Sequence, residues 1–172
     1  MKKLFLLLFV MTACSNKNGD NMQSQYGIGG ENACQFVKEQ VPGLREDIAK
    51  IEVIGEDSLL GDLGLTFASI RAGDIKMGYY QGKVSYDEMS RVLDSCQTEL
   101  MYVEQSWKYG NISKKQDRFK YQWKKVYTVR VTMKSGVKKE PRVMMENDGI
   151  TPLILEMDFF SKLDKYRTLF TY

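Results

Sequence analysis

The sequence predicts an α+β fold in which a helical hairpin packs on a three- to four-stranded antiparallel sheet. Three observations support this prediction. A long amphipathic helix follows a capping box formed by Ser85 and Glu88. Residues 121–133 alternate between apolar and polar side chains, which is typical of a half-buried strand. Two glycine-containing turns, near Gly136 and Gly149, then divide the remaining sheet into hairpins.

The chain before the capping box supplies the other expected elements. Apolar residues on one face predict a short helix over 32–41, and alternation predicts a strand over 48–54. Residues 59–81 predict the first arm of the hairpin as a helix with one apolar stripe, which four glycines weaken. That stripe consists of Leu63, Phe67, Ile70 and Met77.

The helix after Ser85 carries one continuous apolar seam. Its members recur at steps of four and three residues. A helix of this length packs on its own domain more often than in a coiled coil, so we expect the seam to face the core. The seam is formed by Met89, Leu93, Cys96, Leu100, Val103 and Trp107.

The register of the hairpins follows from side-chain parity. Directly opposed residues of antiparallel strands share a face, so apolar positions must oppose apolar positions. A three-residue loop at the first turn pairs Met133 with Val137, and the same loop length at the second turn pairs Met145 with Thr151. The expected strands span 121–133, 137–146 and 150–157, and a short helix follows over 161–168.

The order of these elements is similar to that of cystatin-like and NTF2-like α+β folds. The similarity concerns the succession of helices and a three-stranded meander. It implies no particular activity, because one fold can support many functions.

The first fourteen residues have the layout of a secretory signal. Lys2 and Lys3 precede an apolar run over 4–11 that is too short to span a bilayer, and small residues precede Cys14. The tetrapeptide MTAC at 11–14 resembles the lipobox of bacterial lipoproteins, with Met in place of the usual Leu. The resemblance implies export, cleavage before Cys14, and anchoring to the membrane through a lipid on that cysteine.

Three segments follow from this interpretation. Residues 1–13 are the signal peptide, and residues 14–31 are the lipidated cysteine and a flexible tether, since this stretch is polar and rich in Gly and Asn. Residues 32–172 form a single α+β domain. The lipoprotein resemblance favours the outer membrane over the inner one, because Ser15 stands where an Asp would suggest inner-membrane retention.

The cysteine and histidine counts restrict the chemistry. The chain contains no histidine, which excludes Ser-His-Asp catalysis, HExxH zinc chemistry and most zinc sites, so no metal or cofactor is expected. With Cys14 assigned to the anchor, Cys34 and Cys96 remain as a pair. They form either a disulfide, as an oxidising compartment allows, or two buried thiols.

The charge is small overall but unevenly distributed. The net charge of +3 falls to +1 without residues 1–13, which gives no basis for nucleic-acid binding. From Tyr109 onward, 14 Lys and Arg residues stand against 7 Asp and Glu residues. This excess predicts either a basic patch for an anionic ligand or acidic partner, or a solvated surface. The residues concerned are Lys114, Lys115, Arg118, Lys120, Lys124 and Lys125.

Three functions are compatible with the sequence. The first is a non-enzymatic binding or accessory lipoprotein of the bacterial envelope, whose partner is an envelope protein or an anionic ligand. The second is a carboxylate-dependent hydrolase of an envelope polymer or glycan. The third is a structural or assembly subunit, which a continuous exposed apolar patch would favour. The candidate carboxylates for the hydrolase are Asp74, Asp87, Glu99 and Glu104.

Overall fold

The computed structural model of the chain describes residues 23–40, 46–110 and 122–172. Within these residues it contains four helices and a five-stranded antiparallel sheet, which confirms the predicted α+β class. The elements in chain order are α1 (Gln23–Gln40), β1 (Ile48–Leu60), α2 (Leu63–Tyr80), α3 (Tyr86–Tyr109), β2 (Trp123–Met133), β3 (Lys138–Lys139), β4 (Arg142–Met145), β5 (Pro152–Leu155) and α4 (Glu156–Leu169).

The sheet is built around β2. Its strands lie in the order β1-β2-β4-β5, and the short β3 also pairs with β2. Strand β1 pairs with β2 from Ile48 opposite Met133 to Leu60 opposite Trp123, with a register shift between Val53 and Gly55. The strand predicted over 48–54 is therefore confirmed, but it continues for six further residues.

Helices cover both faces of the sheet. In β2, Val126 packs in a cluster with α2, α3 and α4, whereas the next residue, Tyr127, packs in a cluster with α1. Successive side chains of a strand point to opposite faces, so the two clusters lie on opposite sides of the sheet. The predicted hairpin, α2 and α3, thus covers one face together with α4, and α1 covers the other.

The first predicted hairpin register is confirmed and the second is wrong. The Met133 N–H donates to the Val137 carbonyl over 2.8 Å, as a three-residue loop requires. At the second turn, Met145 pairs with Pro152 instead of Thr151. The Asp148 carboxylate accepts hydrogen bonds from the backbone N–H groups of Ile150 and Thr151, at 2.8 and 2.9 Å. These bonds hold Thr151 in the turn and delay the start of β5.

The tether predicted over 14–31 is wrong for residues 23–31, which belong to α1. Gly27 has a positive φ of 55° and kinks the helix, whereas Gly29 and Gly30 serve close packing. A Cβ atom on Gly29 would lie 2.5 Å from the carbonyl oxygen of Gly149 and 2.8 Å from the hydroxyl of Tyr127. Because only glycine fits this approach of α1 to the sheet, the glycine-rich composition does not mark a flexible segment here.

Helix α3 agrees with the prediction in its start and its buried face. Ser85 is the N-cap, and its hydroxyl accepts a hydrogen bond from the Glu88 N–H over 3.2 Å. All six members of the predicted seam are buried. The end of the helix is tied to β1, because the Trp107 indole donates to the Leu60 carbonyl over 3.0 Å and the Leu60 N–H donates to Ser106 Oγ over the same distance.

Helix α2 lies within the predicted range 59–81, although Leu59 and Leu60 belong to β1, and its core-facing side is opposite to the apolar stripe. The core-facing residues are Gly64, Leu65, Ala68 and Ala72. Small residues spaced four apart let α2 approach α3 closely, and the Cys96 thiol donates to the Ala68 carbonyl over 3.4 Å. The large apolar stripe that indicates the helix therefore lies on the side turned away from the core.

Helix α4 is longer than predicted and begins directly after β5. Leu163 faces inward as expected, and Phe170 just beyond the helix is fully buried. The following backbone docks on the hairpin and not on the sheet. The Lys76 ammonium on α2 donates to the Thr171 carbonyl over 2.6 Å, and the Gln97 amide on α3 donates to the Phe170 carbonyl over 3.0 Å.

Candidate interaction surface

The outward side of α2 carries a row of large apolar side chains. Phe67, Ile70 and Met77 expose 58%, 56% and 57% of their surface, and Leu63 at the start of the row is half-buried. We call this row, with the exposed Asp74 that lies in line with it, the α2 face. Its five residues follow one another at steps of four, three, four and three, so they lie on one side of the helix.

A buried ion pair lies beside the α2 face. The Arg71 guanidinium contacts the Glu99 carboxylate of α3 at 2.5 Å, and Glu99 is almost completely buried while Arg71 is nearly half exposed. The pair fixes the arginine next to the apolar row. Part of its guanidinium stays accessible, and a guanidinium has five N–H donors, so it can bind a second acceptor.

A row of tyrosines continues from the C-terminal end of α2. The ring centres of Tyr80 and Tyr79 lie 5.8 Å apart, those of Tyr79 and Tyr86 6.1 Å, and those of Tyr86 and Tyr172 6.1 Å. The Tyr172 hydroxyl bonds to the Asp94 carboxylate over 2.5 Å, and this bond raises the pKa of the hydroxyl. Tyrosine is enriched in protein interfaces because it combines a large apolar ring with a polar group.

The sheet edges are poorly suited to bind a further strand. Strand β5 is four residues long and begins with proline. Strand β1 is interrupted by register shifts and carries Lys50, Glu52, Glu56 and Asp57. Short strands, prolines, bulges and charges are the features by which natural edge strands resist pairing. The α2 face is therefore a better candidate for a partner than either edge.

The structure describes only two of the six residues of the predicted basic patch, Lys124 and Lys125. Lys114, Lys115, Arg118 and Lys120 lie outside the described residues, as does Cys14. Lys124 and Lys125 are adjacent in β2, so their side chains leave opposite faces of the sheet. Each has its own carboxylate, and the two do not form a common patch. The Lys124 ammonium lies 3.5 Å from Glu146, and the Lys125 ammonium lies 3.1 Å from Glu56.

The two remaining cysteines are buried but not bridged. Cys34 lies in the cluster beneath α1, and Cys96 lies in the cluster beneath α2, on the other side of the sheet. Of the two interpretations left open by the sequence, the structure shows two buried thiols and contradicts the disulfide. The sheet itself separates the two sulfur atoms.

The candidate carboxylates do not assemble into a catalytic pair. Asp74 and Asp87 are exposed on different helices. Glu99 contacts Arg71, and Glu104 forms an ion pair with Arg167 of α4. Glu104 lines a groove of about 500 Å³ between α3 and α4, but its carboxylate is occupied by that arginine.

Across residues 23–40, 46–110 and 122–172, no helix has the length and apolar character needed to cross a membrane. The same residues bring together no group of three Cys, Asp or Glu side chains that could hold a metal ion.

The sequence alone does not identify the α2 face as a site, although its four apolar residues form the predicted stripe. No family model, curated protein or solved structure matches the chain. The candidate surface therefore rests on the geometry of α2 and its neighbours.

Cys34 is expected to make stability depend on pH in the alkaline range. Burial, followed by the negative charges of Glu52 and Glu31, raises the pKa of its thiol from 9.0 to about 11. Between these values the unfolded chain has released the thiol proton and the folded chain still holds it. The unfolded state thus binds fewer protons, and stability falls as the pH rises through this window.

The test compares the wild-type chain with Cys34→Ala by urea denaturation at pH 8 and pH 11. We expect the wild type to lose roughly 2 kcal/mol more unfolding free energy than the variant over this interval. The comparison cancels the alkaline titration of Lys and Tyr residues, which both chains share. Equal losses in the two chains would contradict the assignment.

Proposed function

We propose that the chain is a non-enzymatic accessory protein of the bacterial cell envelope, held to the membrane through Cys14, that binds a protein partner through the α2 face. The observation that carries the proposal is the outward orientation of Phe67, Ile70 and Met77. A surface helix normally turns its large apolar residues to the core. An apolar row left in water and rimmed by charged residues is typical of an interaction site.

The kind of ligand follows from the shape of this surface. The α2 face is an exposed helix side lined mainly by apolar side chains, with tyrosines at the end of the helix, and such a surface suits another protein. An anionic ligand has less support, because the described lysines of the predicted patch, Lys124 and Lys125, already contact carboxylates.

A structural or assembly role is the second candidate. The exposed stripe favours it, because an assembly subunit needs an apolar patch that stays accessible after folding. The hydrolase has the least support, since Glu99 and Glu104 are both engaged by arginines.

The proposed anchor places the domain close to the lipid. Helix α1 begins at Gln23, so only residues 15–22 lie between Cys14 and the folded domain. Eight residues span at most about 30 Å even when fully extended. A lipid on Cys14, favoured for the outer membrane by Ser15, would therefore restrict the α2 face to partners near the membrane surface.

The anchor is tested by mass spectrometry of the protein isolated from bacterial membranes. We expect the wild-type chain to begin at a lipid-modified Cys14 and the Cys14→Ala variant to lack the modification and leave the membrane fraction. An intact Met1 in the wild-type protein, or lipid retained by the variant, would contradict anchoring.

The binding surface is tested by placing a photoreactive benzoylphenylalanine at position 67 or 77 of the full chain in cells. We expect both positions to cross-link to a discrete protein partner, because their side chains lie on the apolar row. Lys139, exposed on the short strand β3, which among the described elements contacts only β2, provides the matched control position. Cross-linking from Lys139 as strong as from the row, or none from the row, would contradict the proposed surface.

A further inference from the structure

We propose that the partner of the α2 face is a second copy of this chain, packed so that the two α2 helices run antiparallel about a two-fold axis. The inference rests on the proposed role of the α2 face as a binding surface and specifies its occupant. It is carried by the spacing of the row, by the register that spacing imposes, and by the charges beside it.

The spacing of the α2 face is that of a helix–helix seam. Steps of four, three, four and three residues are those by which a heptad repeat places side chains on the line of contact between two helices. The row extends over fifteen residues from Leu63 to Met77, or about 21 Å of helix. Phe67, Ile70 and Met77 are already exposed, so a second helix can pack on them without rearrangement of the fold.

An antiparallel pair of identical seams has a defined register. The seam alternates between the a and d positions of a heptad, and in an antiparallel pair each a position packs opposite a d position. This register places Phe67 of one copy opposite Met77 of the other. A methionine sulfur beside an aromatic ring is a favourable contact. Gly73 lies beside the seam near its centre, with nothing within 4 Å of the place a Cβ would take, so the two backbones can approach closely there.

The charges select the antiparallel orientation. In this register Ile70 faces Asp74 of the other copy, and Arg71 is level with that carboxylate on the same side of the seam. The symmetry produces two such Arg71–Asp74 pairs, and each arginine is already held in place by Glu99. A parallel pair would instead put the two Asp74 carboxylates opposite each other, and like charges across a helix contact are destabilising.

The expected dimer is weak in solution and stronger at a surface. One helix face on each copy buries less than the standard protein–protein interface. Confinement of both copies to one membrane through the proposed anchor raises their effective concentration, which compensates for the small contact area.

The register is tested by cysteine cross-linking of full-length chains in membranes. Two differently tagged copies are produced together, one with Phe67→Cys and one with Met77→Cys. We expect mild oxidation to join the 67/77 combination and to leave the 67/67 and 77/77 combinations mostly monomeric, because like positions lie about 15 Å apart along the helices. The matched control is the pair of wild-type copies, whose Cys34 and Cys96 are buried. No dimer in any combination, or a dominant 67/67 product, would overturn the proposal.

The charge pairing is tested at Asp74, an exposed position outside the core. Asp74→Arg places like charges beside Arg71 of the other copy, and we expect about tenfold less 67/77 product. Asp74→Leu completes the apolar seam, and we expect more product than with wild-type Asp74. Equal yields from the two variants would count against this arrangement.

A photoreactive group at Ile70 separates the two proposals. A product with the mass of two chains supports the dimer. A product that contains a different protein and none of the two-chain species overturns the dimer and leaves the binding surface intact. No product of either kind overturns both.

Discussion

The close contact between α2 and α3 is the constraint on which the exposed surface depends. The Cys96 thiol reaches the backbone carbonyl of Ala68, so the two helices touch with almost no side chain between them. Only small residues can occupy that contact, and α2 supplies Gly64, Ala68 and Ala72. Once these residues face inward, helical geometry forces the residues on the opposite side of α2 into water. The large apolar row is exposed as a consequence of how the hairpin packs.

The same contact organises the groups around the surface. It brings Arg71 against the buried Glu99 and thereby fixes a cation beside the apolar row. It also supports the chain after α4, whose carbonyls accept hydrogen bonds from Lys76 and Gln97 on the two helices. That segment includes Tyr172, which belongs to the tyrosine row. The packing of the hairpin therefore positions both the arginine beside the apolar row and the tyrosines at the end of α2.

Much of the fold could be predicted from the sequence, because the periodicity of apolar residues and the capping residues of helices are local features of the chain. The seam of α3 and the alternation of β2 are strong local patterns, and both are confirmed.

The orientation of α2 could not be predicted from the size of its apolar residues, because a close helix contact prefers small ones. The available signal was the spacing of Gly64, Ala68 and Ala72. The second hairpin depended on the side chain of Asp148, and the extent of α1 depended on Gly29 fitting against a distant turn. Of the residues predicted as sites, only Asp74, a candidate carboxylate of the hydrolase, belongs to the α2 face.

The orientation of α2 is tested most directly by thiol labelling of two neighbouring positions in the folded protein. Ile70→Cys and Ala72→Cys introduce the same side chain on opposite sides of one helix, and the wild-type chain measures the background from its own cysteines. We predict that a maleimide reagent modifies Cys at position 70 at the rate of an exposed thiol and modifies position 72 only after denaturation. Protection at position 70 together with rapid labelling at position 72 would contradict the account.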